Sequence, residues 1–249
     1  MIAMNFSPKN EVWKDVDLSD AKEVLHHAFD LYHPRISIAS SFGLEDVSLI
    51  DMAASIRPDF RVFALDTGRL NEETYECAEK IMERYGISIE WYFPKTESVQ
   101  ELERTKGMFS FRESVENRRE CCGIRKVEPL NRALNNLDAW ITGQRREQSL
   151  TRSGLNVVEV DKSHGGIAKI NPLSDWTLDD VWSYVRRNEL PYNRLHDAGY
   201  PSIGCAPCTR AIKPGEDQRA GRWWWEHPEH KECGLHINES ETGKDVENI

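Results

Sequence analysis

Arg35-Ile36-Ser37-Ile38-Ala39-Ser40-Ser41-Phe42-Gly43-Leu44-Glu45-Asp46 is the stretch whose reading decides the fold. Arg35 to Ala39 alternates polar and apolar side chains directly after a proline, which is the period-two pattern of a strand. From Glu45 to Ile56 the apolar residues recur at helical spacing. Between strand and helix stand two serines, a phenylalanine and a glycine. A strand that feeds a helix through such a loop is the opening unit of a parallel α/β sheet.

The same alternation continues on both sides. Asp20, with Glu23 three residues later, marks a helix start, and the helix runs to about Tyr32. Arg61 to Leu65 is a second short strand. Asn71 to Tyr85 is a polar-faced helix that Gly86 ends. Ile87 to Phe93 is a third strand, and Ala139-Trp140-Ile141-Thr142 a fourth. Asn156 to Val160 and Ile167 to Ile170, linked through Gly165-Gly166, read as a hairpin or edge pair. Thr177 to Arg187 is an amphipathic helix with Leu178, Val181, Trp182 and Val185 on one face. Regular patterning thins after Pro201. The expectation is a doubly wound, mostly parallel α/β sheet in one domain over residues 1–237, with a mobile polar tail from Asn238 to Ile249.

In such sheets, ligands bind at loops beyond the carboxyl ends of the strands. Three loops qualify. Ser40, Ser41 and Gly43 lie at the start of a helix, where free N–H groups and the helix dipole favour an anion. Asp66-Thr67-Gly68 follows the second strand. Gly143-Gln144-Arg145-Arg146 follows the fourth. A serine pair before a helix is more often a plain cap, but three such loops on successive strand ends make a shared site the stronger expectation.

Composition narrows the partners. The 249 residues carry 32 Lys+Arg against 42 Asp+Glu, a net charge of −10, which argues against nucleic-acid binding over a broad surface. The charge is uneven. Arg104 to Lys126 holds seven basic and three acidic residues, net +4, whereas Glu226 onward holds seven acidic residues and two lysines, net −5. A local basic patch on an acidic protein suits a small anionic ligand. No apolar run approaches the roughly 18 residues of a membrane span, and Met1 to Asn10 lacks the apolar core of a secretory signal. A cytoplasmic, non-membrane protein is expected. Oligomeric state is not fixed by the sequence.

The six cysteines are too sparse for a disulfide scaffold but are clustered. Cys121 and Cys122 are adjacent, and Cys205 and Cys208 are separated by two residues, one of them Pro207. A zinc knuckle wants two spaced pairs, which an adjacent pair does not easily supply. A cubane iron–sulfur cluster offers four corners, each taking one thiolate. The alternative is four reduced core thiols, and that is the preferred account of Cys77, alone within a helix. Cys233, in Glu232-Cys233-Gly234-Leu235-His236, lies outside the tetrad. It is either a nucleophile held as thiolate by nearby cations or a surface thiol.

Taken together, Cys121-Cys122, Cys205-x-x-Cys208 and Glu232-Cys233-Gly234-Leu235-His236 resemble the iron–sulfur type of assimilatory adenylyl-sulfate reductase, in the phosphoadenylyl-sulfate reductase family. The resemblance spans nearly the whole chain, from Ser40 to His236. It implies an adenine nucleotide α-hydrolase-like fold. Its ATP-splitting relatives carry a more glycine-rich loop, and Phe42 here stands in place of a glycine. The implied reaction converts adenosine 5′-phosphosulfate (APS) and reduced thioredoxin to sulfite, AMP and oxidised thioredoxin, through a thiosulfonate on Cys233. The resemblance further implies a [4Fe-4S] cluster on Cys121, Cys122, Cys205 and Cys208. Lys126 would lie between cluster and substrate, with Arg219 and Arg222 near the sulfate, and His236 would be a further catalytic residue of the Cys233 motif. Ser40, Ser41, Gly43, Asp66, Gly68, Gly143, Arg145, Arg146 and Arg152 would surround the nucleotide.

These residue types suit the chemistry. A thiolate attacking a sulfur ringed by anionic oxygens is repelled unless fixed cations offset the charge. Sulfate to sulfite takes two electrons and one dithiol supplies both, so the cluster is expected to be electrostatic and structural. Trp223-Trp224-Trp225 is either packing or a shield or docking face, and His164, His196, His227 and His230 are given no role. The rival expectations are the same reaction on the 3′-phosphorylated nucleotide, an ATP-using nucleotidyl transferase, and a non-catalytic metal-bound nucleotide sensor.

Overall fold

The structure, a computed structural model, describes residues 11–149 and 152–227. Six strands form one sheet in the order β3-β2-β1-β4-β6-β5. They are β1 (Ile36–Ser40), β2 (Val62–Leu65), β3 (Ile89–Tyr92), β4 (Ala139–Ile141), β5 (Val158–Asp161) and β6 (Ile167–Ile170). All neighbours are parallel except β5 and β6, which form the antiparallel edge hairpin expected around Gly165-Gly166. Ile36, Ile38, Ala139, Ile141, Ala168 and Ile170, on one face, are each at 0% exposure, and Ser37, Trp140 and Lys169, on the other, are buried too, so these strands are covered on both faces.

The helices follow sequence expectation in the first half. α1 (Ala21–Tyr32) is capped by Asp20, whose carboxylate accepts from the backbone of Lys22 and Glu23. α2 (Leu44–Ile56) and α3 (Glu72–Tyr85) follow, the latter ended by Gly86 in the left-handed region. The stretch between β3 and β4, which carries no clear helical pattern, holds three helices: α4 (Thr96–Lys106), α5 (Val115–Cys122) and α6 (Glu128–Leu134). A π-helical turn, Gly123–Val127, joins the last two. α7 (Leu178–Arg187) begins at a reciprocal cap between Thr177 and Asp180 and packs on α2. Asp51 of α2 ties the layer together by accepting from the Tyr85 and Tyr184 hydroxyls at 2.8 and 2.7 Å. Among the described residues no helix is long and apolar enough to cross a membrane.

The strand order matters for function. From β1 the chain winds outward through β2 and β3, then returns to place β4 on the other side of β1. The crevice between the ends of β1 and β4 is therefore the topological switch point, where open α/β sheets bind ligands.

Candidate active site

A cavity of about 250 Å³ opens at this switch point. Ser40, Ser41, Phe42 and Gly43 line it from the β1 loop, and Gly143, Gln144, Arg145 and Arg152 from the β4 side. Lys126, Cys205, Arg219 and Arg222 come from elsewhere in the chain.

The β1 loop is held in an unusual shape. Phe42 is buried with φ +59°, in the left-handed region that favours glycine. Its N–H donates to Ser40 Oγ at 3.1 Å, and its ring lies 5.7 Å from that of Trp91. Asp46, in the first turn of α2, accepts from the Ser41 N–H at 2.6 Å and the Ser41 hydroxyl at 2.8 Å. Burial pushes the Asp46 carboxyl up to about 6, against the pull of the Ser41 and Gly43 backbone N–H groups.

The β4 loop crosses close to that turn. A Cβ on Gly143 would stand 2.5 Å from Asp46 Oδ1 and 2.8 Å from Glu45 Cβ, so only glycine fits the approach. Arg145, 1% exposed, donates from Nε to Glu45 Oε1 at 2.8 Å and from Nη1 to Glu147 at 3.0 Å and the Trp176 carbonyl at 3.2 Å. Gln148 adds a second donor to Glu45 Oε1 at 2.9 Å. Arg146 turns away, pairing with Asp175 and donating to the Leu155 carbonyl at 2.6 Å, and it does not line the cavity. Nor do Asp66 and Gly68. Asp66 closes its own turn by accepting from the Gly68 N–H at 2.7 Å and from the Tyr75 hydroxyl at 2.9 Å.

The four cysteines meet on one side of the cavity. Cys121, Cys122, Cys205 and Cys208 are all buried and pack with Leu102, Phe111 and Trp223. They surround a small void of about 20 Å³, together with Arg69, Arg118, Arg125, Lys126 and Arg222. The three-residue spacing of Cys205 and Cys208 is a tight 3₁₀ turn, while Cys121 and Cys122 close α5. No described cysteine is in a disulfide. Among the described residues, no three or more His, Cys, Asp or Glu side chains are placed to hold a single metal ion.

The thiols differ in their surroundings. Burial pushes Cys205 up, but Lys126, the Thr67 hydroxyl 3.2 Å away, Arg222 and Arg69 outweigh it and hold this thiol below its ordinary range. Burial, with Cys205 beside it, pushes Cys208 up to about 12. Burial also raises Cys121, despite Arg69 and Arg125.

Two cations belong to both places: Lys126 and Arg222 line the switch-point cavity and the cysteine void alike. Lys126 sits in the π-helical turn just after the cysteine pair. Arg222 is buried, donates to the Ile203 carbonyl at 3.2 Å, and lies over the Trp223 ring at 4.7 Å. Its guanidinium fills the space where a Cβ on Gly204 would be.

Cys233 and His236 lie outside the described residues, as do the end of the expected domain and the tail from Asn238 to Ile249. Several site residues carry no sequence signal of their own. Arg125 donates to the Thr67 carbonyl at 2.7 Å and to Glu103 at 2.5 Å, joining the β2 loop to the cysteine turn. Gln144 lines the cavity at 4% exposure, and its Oε1 has no hydrogen-bond partner among the described residues. His196 also lines the cavity, and burial lowers its imidazole. Arg118 stands three and four residues before the cysteine pair, and that helical spacing was the one available clue.

Known proteins similar to this chain fall in one family. Residues 35–211 match the phosphoadenosine phosphosulfate reductase domain. The chain is 53% identical to an adenosine 5′-phosphosulfate reductase of Burkholderia cepacia over 205 residues, 82% of each protein. It is 47% identical to the chloroplastic 5′-adenylylsulfate reductase 3 of Arabidopsis thaliana over 96% of this chain and 54% of that one. Among solved structures it is similar to a phosphoadenylyl-sulfate reductase from Candida auris, in a phosphate complex, with a TM-score of 0.65 and 33% identity over 78% of this chain and 90% of that one.

Proposed function

This chain belongs to the phosphoadenosine phosphosulfate reductase family, and from that premise we propose how it carries out the reduction of APS in sulfate assimilation. The observation that carries the proposal is the double placement of Lys126 and Arg222, which face both the cavity and the four thiols.

AMP occupies the switch-point cavity, between the Ser40–Gly43 loop and the Gly143–Arg152 segment. The sulfate end points to Lys126, Arg219 and Arg222. These cations offset the charge on the sulfate oxygens and on the phosphate that leaves. The Cys233 thiolate attacks the sulfur, the S–O bond to phosphate breaks, and AMP departs with the bonding pair. Cys233 then carries a thiosulfonate. A thiolate of reduced thioredoxin attacks the Cys233 sulfur and sulfite leaves, giving a mixed disulfide. The second thioredoxin thiol resolves it, releasing Cys233 as thiolate and thioredoxin as disulfide. Two electrons pass from the dithiol to sulfur. His236 is assigned to the same sulfate end.

The four cysteines suit a [4Fe-4S] cluster by their donor chemistry: one thiolate for each corner, with Arg69, Arg118, Arg125, Lys126 and Arg222 around them to offset its negative charge. Bound there, the cluster would supply a fixed charge and a brace for Lys126 and the 205–208 turn. A reducing cytoplasm, where clustered thiols stay free of disulfides, is the proposed setting.

The test is to incubate the purified protein with APS and no reductant, then weigh its peptides. A sulfonate mass confined to the Cys233 peptide is expected. An unmodified Cys233 with sulfite formed on added thioredoxin would overturn the covalent route. Turnover compared on APS and its 3′-phosphorylated form separates this reading from its nearest rival.

A further inference from the structure

The switch-point cavity has an apolar wall. Ala39, Phe63, Leu65 and Trp140 line it from one face of the sheet, Leu130 lines it from α6, and the five pack together. The cations Lys126, Arg219 and Arg222 line the same cavity. The charged end of a nucleotide goes to the cations. The planar, uncharged base goes to the apolar wall, where its faces leave water for side-chain carbon.

Trp140 is the largest side chain of that wall, and the edge hairpin holds its ring. The indole N–H donates to Asp161 Oδ2 at 3.1 Å, and the same oxygen accepts from His164 Nδ1 at 2.8 Å. A carboxylate only accepts, so the His164 proton of this contact sits on Nδ1. The Asp161 and His164 side chains are 9% and 6% exposed, so little water competes for these bonds. The His164 ring meets the Trp140 ring in a T-shape, with centroids 6.0 Å apart. Lys169 Nζ stands 5.9 Å from the centre of the Trp140 ring and 3.4 Å from Glu159 Oε2. Trp140, Lys169 and Glu159 are cross-strand neighbours on β4, β6 and β5.

A buried indole N–H usually finds a partner. Here the partner ends β5, outside the cavity lining, and the ring it fixes is part of that lining. We propose that Asp161, backed by His164, is a positioning residue that fixes the Trp140 ring as the wall against which the adenine base of APS packs. The inference rests on the reading that the nucleotide occupies this cavity.

The experiment uses the full chain, iron-loaded, and measures binding of AMP and of ribose 5-phosphate, which lacks the base, by ligand-observed NMR titration. Asp161→Ala removes the acceptor, whereas Asp161→Asn keeps an oxygen for the indole N–H. Asp161→Ala is expected to weaken AMP binding about tenfold, the scale of one lost base–aromatic contact, and to leave ribose 5-phosphate binding unchanged. Asp161→Asn is expected to restore most of the AMP affinity. Where Asp161→Ala does not fold, Trp140→Phe, which keeps a ring and drops the N–H, takes its place with the same expectation. AMP binding equal to that of the parent overturns the proposal. So does an equal loss for both ligands, because the hairpin then supports the whole cavity and not the base. If the unsubstituted chain binds no AMP, the reading of the cavity fails and this inference with it. Normal AMP binding by the parent with no loss in the variant removes this inference alone.

Discussion

Arg145 Nε lies 2.8 Å from Glu45 Oε1, and this contact clamps the β4 loop to the first turn of α2 across the mouth of the switch point. The arginine is 1% exposed and the Glu45 side chain 15%. A residue expected from sequence to meet the nucleotide thus lines the cavity while also paired with a carboxylate of its own chain, and that pair sets the shape of the two loops.

Breaking that pair removes the shorter of Arg145's two carboxylate contacts, while Glu147 still accepts from Arg145 Nη1 or Gln148 still donates to Glu45. Arg145→Met or Glu45→Gln should destabilise the fold by about 1–3 kcal/mol, the cost of leaving a buried polar group short of a partner. Urea denaturation of the nucleotide-free protein measures it. A change under about 1 kcal/mol, the ordinary size for a surface ion pair, would contradict the clamp.

The cations at the sulfate end should act on the chemical step. Lys126→Ala and Arg222→Ala are each expected to lower kcat by about 10²–10³, the usual effect of removing one group aimed at developing charge. AMP affinity should change little, since AMP lacks the sulfate. Steady-state sulfite production, with AMP binding measured by calorimetry, separates the two effects.

Asp46 gives a pH dependence with a definite sign. Its carboxyl is raised by burial from 3.8 to about 6 in the folded protein. Between those values the folded state holds a proton that the unfolded state has released. This group's contribution to stability therefore falls as pH rises from about 4 to about 6 and is level above that. In denaturant titrations, Asp46→Asn should be more stable relative to the parent at pH 7 than at pH 4. An equal difference at both would show that the carboxyl is not shifted.

Cysteine substitutions should divide into two classes. Cys122→Ser is expected to lose bound iron and sulfite production together. Cys233→Ser is expected to keep iron and nucleotide binding and to make no sulfite. Elemental analysis, AMP binding and a sulfite assay on the two variants check this. A Cys233→Ser protein that still produces sulfite would return the non-catalytic reading of that thiol.

Much of the framework is legible residue by residue. The alternation at Ile36 to Ser40, the helical spacing after Leu44 and the cap at Asp20 are local signals, and local backbone geometry follows them. α4 and α5, between β3 and β4, were less legible because their buried faces are thin. α4 buries only Leu102, and α5 buries Arg118 beside its two cysteines, so neither shows an apolar stripe.

The sequence alone determined the class of fold and the strands that build it, because period, capping and spacing are properties of neighbours along the chain; the candidate thiols and cations came from its resemblance to a known family. Tertiary structure alone decided which of those groups share a site. Arg145 and Arg146 are adjacent, yet one lines the cavity and the other pairs with Asp175 outside it. Lys126 and Arg222 are far apart in sequence, yet both face the cavity and the cysteines. Strand order and the direction of each loop set these outcomes, and they depend on contacts between segments that no local pattern encodes.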